Sequence, residues 1–290
     1  IDAIVNEILP RAIAWEKEKV GWLAELVPET VTRATIKALV YRAILLAETV
    51  RPGLEWAYGV TTVSERRDTL LPATLKSLED SGFDNPRLFV DDQGDFSAFG
   101  LSVTQRESRV RTYGNWLLGL SELLIRNPNA GRFAMFQDDF VACKNLRAYL
   151  SECEYPNFGY MNLYTFPVNE RLAKGRKGWY EAGTIASSPV LNGKQQQTGY
   201  GAVGLVFSRE AVVALLSQQT TYSKILQEKD SWRRVDGCIA ASMNAAGWRE
   251  YVHYPSLIQH TGLASSMSSR RHPLSTSFPG EDFDAMEFLK

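Results

Sequence analysis

Arg132-Phe133-Ala134-Met135-Phe136-Gln137-Asp138-Asp139-Phe140-Val141 is the stretch whose reading decides the fold. A mostly apolar run leads into two adjacent carboxylates, and apolar residues resume at once. A short continuous apolar run reads as a buried strand. Two Asp residues at its end would repel each other unless positive charge sits between or beside them, because Asp is almost never fully buried unpaired. A hard divalent cation such as Mg²⁺ supplies that charge and is usually shared with substrate phosphates. A turn whose Asp residues cap the next helix is the other reading.

Upstream of it, Tyr58-Gly59-Val60-Thr61-Thr62-Val63 is short and β-branched, as a core strand should be. Leu70, Leu71, Leu75 and Leu78 follow at helical spacing, closed by Gly82. Pro86 to Val90 is a second strand, ending in Asp91-Asp92. Strand, helix and strand in this order make a βαβ unit with a parallel sheet. Tyr113 to Ile125 is the next helix, with Trp116, Leu117, Leu120, Leu123 and Leu124 on its apolar face.

Downstream, Phe158 to Leu163 reads as a strand, and residues 166–198 as a long polar, basic loop, functional or mobile. Gly199 to Phe207 reads as a Gly-punctuated strand, and Ser208 caps the helix after it. Asp236 opens another helix, and Tyr251 to His260 is a final strand-like run. The Ser-rich tail after Gly262 is expected to be mobile. Residues 1–54 read as a helical appendage, 55–265 as the main domain and 266–290 as a tail.

The chain has 290 residues and a net charge of −1, so no global field draws it to a polyanion. Three cysteines, Cys143, Cys153 and Cys238, make no disulfide framework and show no metal-ligand spacing. No apolar run has the length of a membrane span, and the start is not a signal peptide. A start at Ile1 reads as a shortened chain. A cytoplasmic setting, in a bacterium or a phage-infected host, fits these features.

Ligands of open α/β sheets bind beyond the carboxyl ends of the strands. Three strand ends carry the chemistry: Thr61, Thr62, Ser64 and Arg66; then Asp91 and Asp92; then Asp138 and Asp139. Carboxylates for a cation, a second acidic pair for ribose or base, and an Arg for phosphate describe a nucleoside-diphosphate site. Asp91-Asp92 reads equally well as a turn. No Gly-x-Gly-x-x-Gly or Walker loop follows the first strand, which disfavours dinucleotides and ATP.

In this order the motifs resemble a nucleotide-sugar glycosyltransferase of the GT-A fold, a Rossmann-like mixed α/β sheet flanked by helices. Gln137-Asp138-Asp139 stands where that fold has its Asp-x-Asp motif. Tyr254-Pro255-Ser256-Leu257-Ile258-Gln259-His260-Thr261-Gly262 is similar to a run in the N-acetylglucosaminyltransferases that branch N-glycans. The resemblance covers residues 56–265, and the acceptor region at 160–198 is unlike. It implies that Asp139 and His260 ligate Mn²⁺ or Mg²⁺. It implies that Asp138 meets ribose or sugar, and that Asn115 belongs with Thr61, Thr62, Ser64, Arg66, Asp91 and Asp92 on a UDP-sugar. Asp236 is then the general base of an inverting transfer; as a plain helix cap it would serve only the fold. The Gly199 to Ala202 turn would let backbone approach the sugar, or only pack a strand. A nucleotidyltransferase or a non-catalytic nucleotide-sugar-binding module is the alternative.

The acceptor is open between a glycan, a protein and a hydroxymethylated base in phage DNA. Arg106, Arg109 and Arg111, Lys174, Arg176 and Lys177, Arg233 and Arg234, and Arg270 and Arg271 lie among Trp179, Tyr180 and Tyr200. Basic residues with stacking platforms are one way to hold nucleic acid; solvated loop charge is the other reading.

Overall fold

The computed structural model describes residues 53–173, 175–184, 190–191, 193–218, 220–221, 235–262 and 273–290. The expected N-terminal helices, Lys174, Arg233, Arg234, Arg270 and Arg271 lie outside the described residues.

The chain alternates strands and helices from the outset. Strand β1 (Glu55–Thr62) leads through a one-turn 3-10 segment, Ser64–Arg66, to helix α1 (Leu71–Asp80). Pro72 occupies the first turn of α1, where its missing N–H costs nothing. Then come β2 (Arg87–Val90), β3 (Val103–Gln105), α2 (Arg111–Arg126), β4 (Ala130–Gln137), β5 (Phe140–Ala142) and α3 (Leu146–Glu152). Strand β6 (Gly159–Asn162), α4 (Pro167–Ala173), β7 (Gly178–Glu181), β8 (Val190–Leu191), β9 (Lys194–Gln195), β10 (Gly204–Ser208) and α5 (Arg209–Leu216) follow. Helix α6 (Val235–Ala245), β11 (Arg249–Tyr254) and β12 (Ile258–His260) complete the pattern.

Eight strands form one sheet in the order β3-β2-β1-β4-β10-β6-β11-β7. The pairings β3-β2, β2-β1, β1-β4 and β6-β11 are parallel, and β4-β10, β10-β6 and β11-β7 antiparallel. Two reversals across β10 return β6 to the direction of β4, so only β10 and β7 run against the rest. The sheet is therefore mixed and mostly parallel, flanked by helices, as the sequence led one to expect. The carboxyl ends of β1, β2, β4, β6 and β11 share one edge.

Strand β4 shows why its sequence is continuously apolar. Phe133 and Met135 face the core beneath α2, α5 and α6, while Ala134 and Phe136 face the core of α1, α3 and the C-terminal segment. Neighbouring side chains of a strand point to opposite faces, so a strand covered on both sides has no polar positions to spare. Truncating Phe133 or Phe136 would cost about 3–5 kcal/mol.

Four expectations are corrected. The supposed loop 166–198 contains α4 and β7, and β7 closes the sheet edge against β11. Gly199 to Val203 is a turn, with Gly199 and Gly201 at φ of +67° and +72°, and the strand starts only at Gly204. The run 251–260 breaks at a cis Tyr254–Pro255 bond into β11, in the main sheet, and β12, which pairs with β5. Residues 273–290 are packed rather than loose: Ala285 is buried, and Phe283 and Phe288 join the core. Glu170 clamps that segment through the hydroxyls of Ser275, Thr276 and Ser277.

Candidate active site

The chain reverses sharply after β4. Asp138 and Asp139 form the turn into β5, both buried at the shared edge of the sheet. Thr62, at the end of neighbouring β1, donates its hydroxyl to Asp138 Oδ2 at 2.6 Å. Arg66 reaches in from the 3-10 turn, and its Nη1 donates to Asp138 Oδ1 at 2.5 Å and Asp139 Oδ2 at 2.9 Å. The positive charge that the sequence demanded between the two acids is thus a guanidinium, where a phosphate contact was expected for Arg66. Burial disfavours the Arg66 charge, but the two carboxylates outweigh it and raise its pKa. Burial also raises the pKa of Asp138, against the pull of Arg66 and Thr62.

His260 arrives from far along the chain. Pairing of β12 with β5 sets His260 opposite Phe140, and Thr261 N–H donates to the Asp139 carbonyl at 2.8 Å. His260 Nε2 then lies 3.5 Å from Asp139 Oδ2. At Gly262 the absent side chain matters: a Cβ there would stand 2.7 Å from His260 Cε1 and 3.1 Å from Asp139 Oδ2. Among the described residues no group of three or more His, Cys, Asp and Glu side chains is assembled to hold a metal ion. The donor types nevertheless fit one. Two carboxylates and an imidazole suit a hard or borderline divalent cation.

The second acidic pair is held differently. Asp92 accepts from the Ser64 backbone N–H at 3.0 Å and from its hydroxyl at 2.8 Å. Arg109 donates to Asp92 Oδ2 at 2.7 Å and also pairs with Glu65. Asp91 is buried and accepts from Val110 N–H at 2.7 Å; burial raises its pKa against that bond. Thr61 donates to the Phe136 carbonyl at 3.1 Å. Asn115 is buried, donates to the Phe89 carbonyl at 2.7 Å and accepts from Arg106 Nε at 3.0 Å, so it ties α2 to the end of β2.

Asp236 sits half-buried in the first turn of α6. Its Oδ1 accepts from Gly237 N–H at 2.8 Å and its Oδ2 from Gly201 N–H at 3.2 Å. Gly201 must be glycine: its φ is positive, and a Cβ would strike the Tyr164 ring at 2.4 Å. The turn is fixed from below by buried Glu250. Asn162 Nδ2 donates to Glu250 Oε1 and to the Tyr200 carbonyl, each at 2.9 Å, and Tyr160 donates to Glu250 Oε2 at 3.1 Å. Gln197 pairs with the Glu250 backbone, accepting at 2.6 Å and donating at 3.0 Å. Burial pushes the Glu250 carboxyl up to about 7, against the bonds from Asn162 and Tyr160.

One cleft of about 150 Å³ joins the two sides. Gln137, Asp236 and His260 line it together with Tyr164, Phe166 and Gly201. Tyr164 and Phe166 were missed in the sequence, although both follow the carboxyl end of β6, where the strand-end rule would have found them. Tyr200 stacks on Phe166 with ring centres 4.8 Å apart.

Four of the expected basic and aromatic residues are engaged within the fold. Arg106 pairs with Glu122 at 2.5 Å, and Arg109 is committed to Asp92 and Glu65. Trp179 packs edge-on against His253, and the Tyr180 hydroxyl bonds the Asn169 carbonyl. No helix among the described residues is long and apolar enough to cross a membrane.

No protein-family model and no curated protein matches this chain. Many solved structures are similar to it in part, two of them as follows. One is mannose-1-phosphate geranyltransferase from Thermus thermophilus, at 15% identity over 68% of this chain and 73% of that one, with a TM-score of 0.38. The other, from Bacillus anthracis, is described as a glucose-1-phosphate thymidylyltransferase in complex with a sucrose. It has 9% identity over 72% of this chain and 90% of that one, with a TM-score of 0.37. Likeness of this degree says nothing about the chemistry of this chain, and the resemblance to branching N-acetylglucosaminyltransferases rests on the quoted motifs alone.

Proposed function

We propose that this chain is a metal-dependent, inverting glycosyltransferase that moves a sugar from a UDP-sugar to a hydroxyl acceptor. The observation that carries this reading is one cleft lined by Gln137, Asp236 and His260, with Asp139 Oδ2 3.5 Å from His260 Nε2. A proton acceptor and an imidazole donor thus line one space.

The roles follow from the positions. Asp139 and His260 would hold Mn²⁺ or Mg²⁺, and Asp138, fixed by Thr62, would meet ribose or sugar. A bound divalent cation offsets the charge that builds on a departing diphosphate. Thr61, Thr62, Ser64, Arg66, Asp91 and Asp92 form the donor side, with Asn115 supporting it through Arg106. Asp236 takes the proton of the acceptor hydroxyl as its oxygen bonds to the sugar C1. The bond from C1 to the diphosphate oxygen breaks, and its electron pair leaves with UDP. A single displacement of this kind inverts C1. Two N–H bonds to the Asp236 carboxylate orient it, which a general base needs before its pKa matters.

A donor screen read by mass spectrometry tests this, using UDP-sugars with Mn²⁺ or with EDTA, and hydroxymethylated DNA and simple glycans as acceptors. The expected result is a product heavier by one sugar, free UDP, and loss of both in EDTA. Pyrophosphate released from a nucleoside triphosphate and a sugar phosphate would make the chain a nucleotidyltransferase. UDP-sugar bound but never consumed would make it a binding module.

A further inference from the structure

We infer that Arg66 is a displaceable internal counter-ion, so that its side chain links divalent-cation binding at Asp139 and His260 to diphosphate binding. This rests on the donor-site reading above.

Burial makes the acidic pair depend on a counter-charge. The side chains of Asp138 and Asp139 are 3% and 4% exposed, and two buried carboxylates with no cation between them would be strongly destabilising. A single nitrogen, Arg66 Nη1, reaches an oxygen of each at 2.5 and 2.9 Å. A cation held by Asp139 and His260 would need Asp139 Oδ2, the oxygen that Arg66 Nη1 holds at 2.9 Å and that lies 3.5 Å from His260 Nε2, so guanidinium and metal compete for it. Arg66 also has an exit. Its side chain is 19% exposed, and the 3-10 turn that carries it is anchored separately, through Ser64 to Asp92. The side chain can therefore leave while the backbone stays. Guanidinium forks bind phosphate oxygens in pairs, so a nucleoside diphosphate offers the partner that replaces the carboxylates. Cation affinity is then low while Arg66 holds the pair and rises when a diphosphate draws it away. By linkage the cation raises nucleotide affinity by the same factor.

Mn²⁺ binding, followed by electron paramagnetic resonance of the free ion, tests this with and without UDP in wild type, Arg66→Gln and Arg66→Lys. In wild type UDP should tighten Mn²⁺ by about tenfold. Arg66→Gln should bind Mn²⁺ alone about tenfold more tightly than wild type, and the further tightening by UDP should be smaller than in wild type. Mn²⁺ binding to Arg66→Gln no tighter than to wild type overturns the inference. A variant that folds only with Mn²⁺ supports it, since the ion then replaces the lost charge. If Arg66→Gln folds under neither condition, Arg66→Lys decides, because an ammonium on the shorter, more flexible lysine stem holds the pair less well. Tighter Mn²⁺ than wild type supports the inference, and equal or weaker binding overturns it. None of these readouts needs turnover. Tighter metal binding in a protein that transfers no sugar sinks the proposed function and leaves this inference standing. Sugar transfer with unchanged metal affinity does the reverse.

Discussion

The two sides of the cleft solve the same problem in opposite ways. On the side of β1, β2 and β4, charge is met by charge: Arg66 holds Asp138 and Asp139, and Arg109 holds Asp92 and Glu65. On the side of β6, β10 and β11, polar groups are buried and met by neutral hydrogen bonds, with Glu250, Asn162, Gln197 and Tyr160 fixing the turn that faces Asp236. Ion pairs can be exchanged, because an anionic ligand or a cation can take over either partner. A network of neutral bonds has no such substitute and behaves as scaffold. The first side is suited to receiving a charged donor, and the second to holding a base in place.

The sharpest way to break this contrast is Asp139→Asn, which keeps the shape of the side chain and removes its charge. Sugar transfer should fall on the order of 10³-fold, the loss of several kcal/mol of charge stabilisation at the leaving diphosphate. Thermal denaturation should show a folded protein, because the Arg66–Asp138 pair remains. Unchanged kcat would remove the metal reading.

On the scaffold side, Glu250→Gln should act on stability and its pH dependence. The ordinary Glu pKa of 4.5 rises to about 7 in the folded protein. The unfolded chain therefore gives up this proton first as pH rises. The stability that the neutral carboxyl contributes is complete below about pH 4.5 and is lost as pH climbs through 7. A glutamine stays neutral throughout, so above pH 7 the variant should be the more stable by on the order of 3 kcal/mol. The gap should narrow towards pH 5, and urea denaturation at pH 5 and 8 reads it. An equal gap at both would mean that Glu250 is not held neutral.

Gly262→Ala is the mildest probe. The added methyl crowds His260 and Asp139 without violating the local backbone, so Mn²⁺ affinity in the presence of UDP should drop about tenfold, while the melting temperature hardly moves. Metal affinity left at the wild-type level would separate His260 and Asp139 from the cation.

The same contrast decides what the sequence revealed. The first side is built from consecutive βαβ segments, and its polar residues stand directly after apolar runs, as Thr61-Thr62 and Asp138-Asp139 do. Local pattern and the strand-end rule suffice there. What the pattern lacked was pairing: nothing in the sequence states that Arg66 turns back onto Asp138 and Asp139, across more than seventy residues. The second side is assembled from β6, β10, α6 and β11, whose order in the sheet departs from their order in the chain. Strand β7 escaped because Gly178-Trp179-Tyr180-Glu181 is short and framed by polar residues, and it becomes a strand only by pairing with β11. Glu250 stands just ahead of the strand-like run that begins at Tyr251, and only the sheet shows that it faces Asn162 and Tyr160. His260 was found through its motif, and its neighbours Phe140 and Asp139 through the β12–β5 pairing.

The central claim is that the two sides act on one substrate pair, with Asp236 as the proton acceptor. The rate of sugar transfer by Asp236→Asn, measured beside its UDP dissociation constant, tests this most directly. Asn caps a helix about as well as Asp but accepts no proton. The account predicts a rate lower by roughly 10²–10⁴-fold with UDP affinity nearly unchanged. A variant that turns over like wild type would leave Asp236 a helix-terminal hydrogen-bond acceptor and contradict the account.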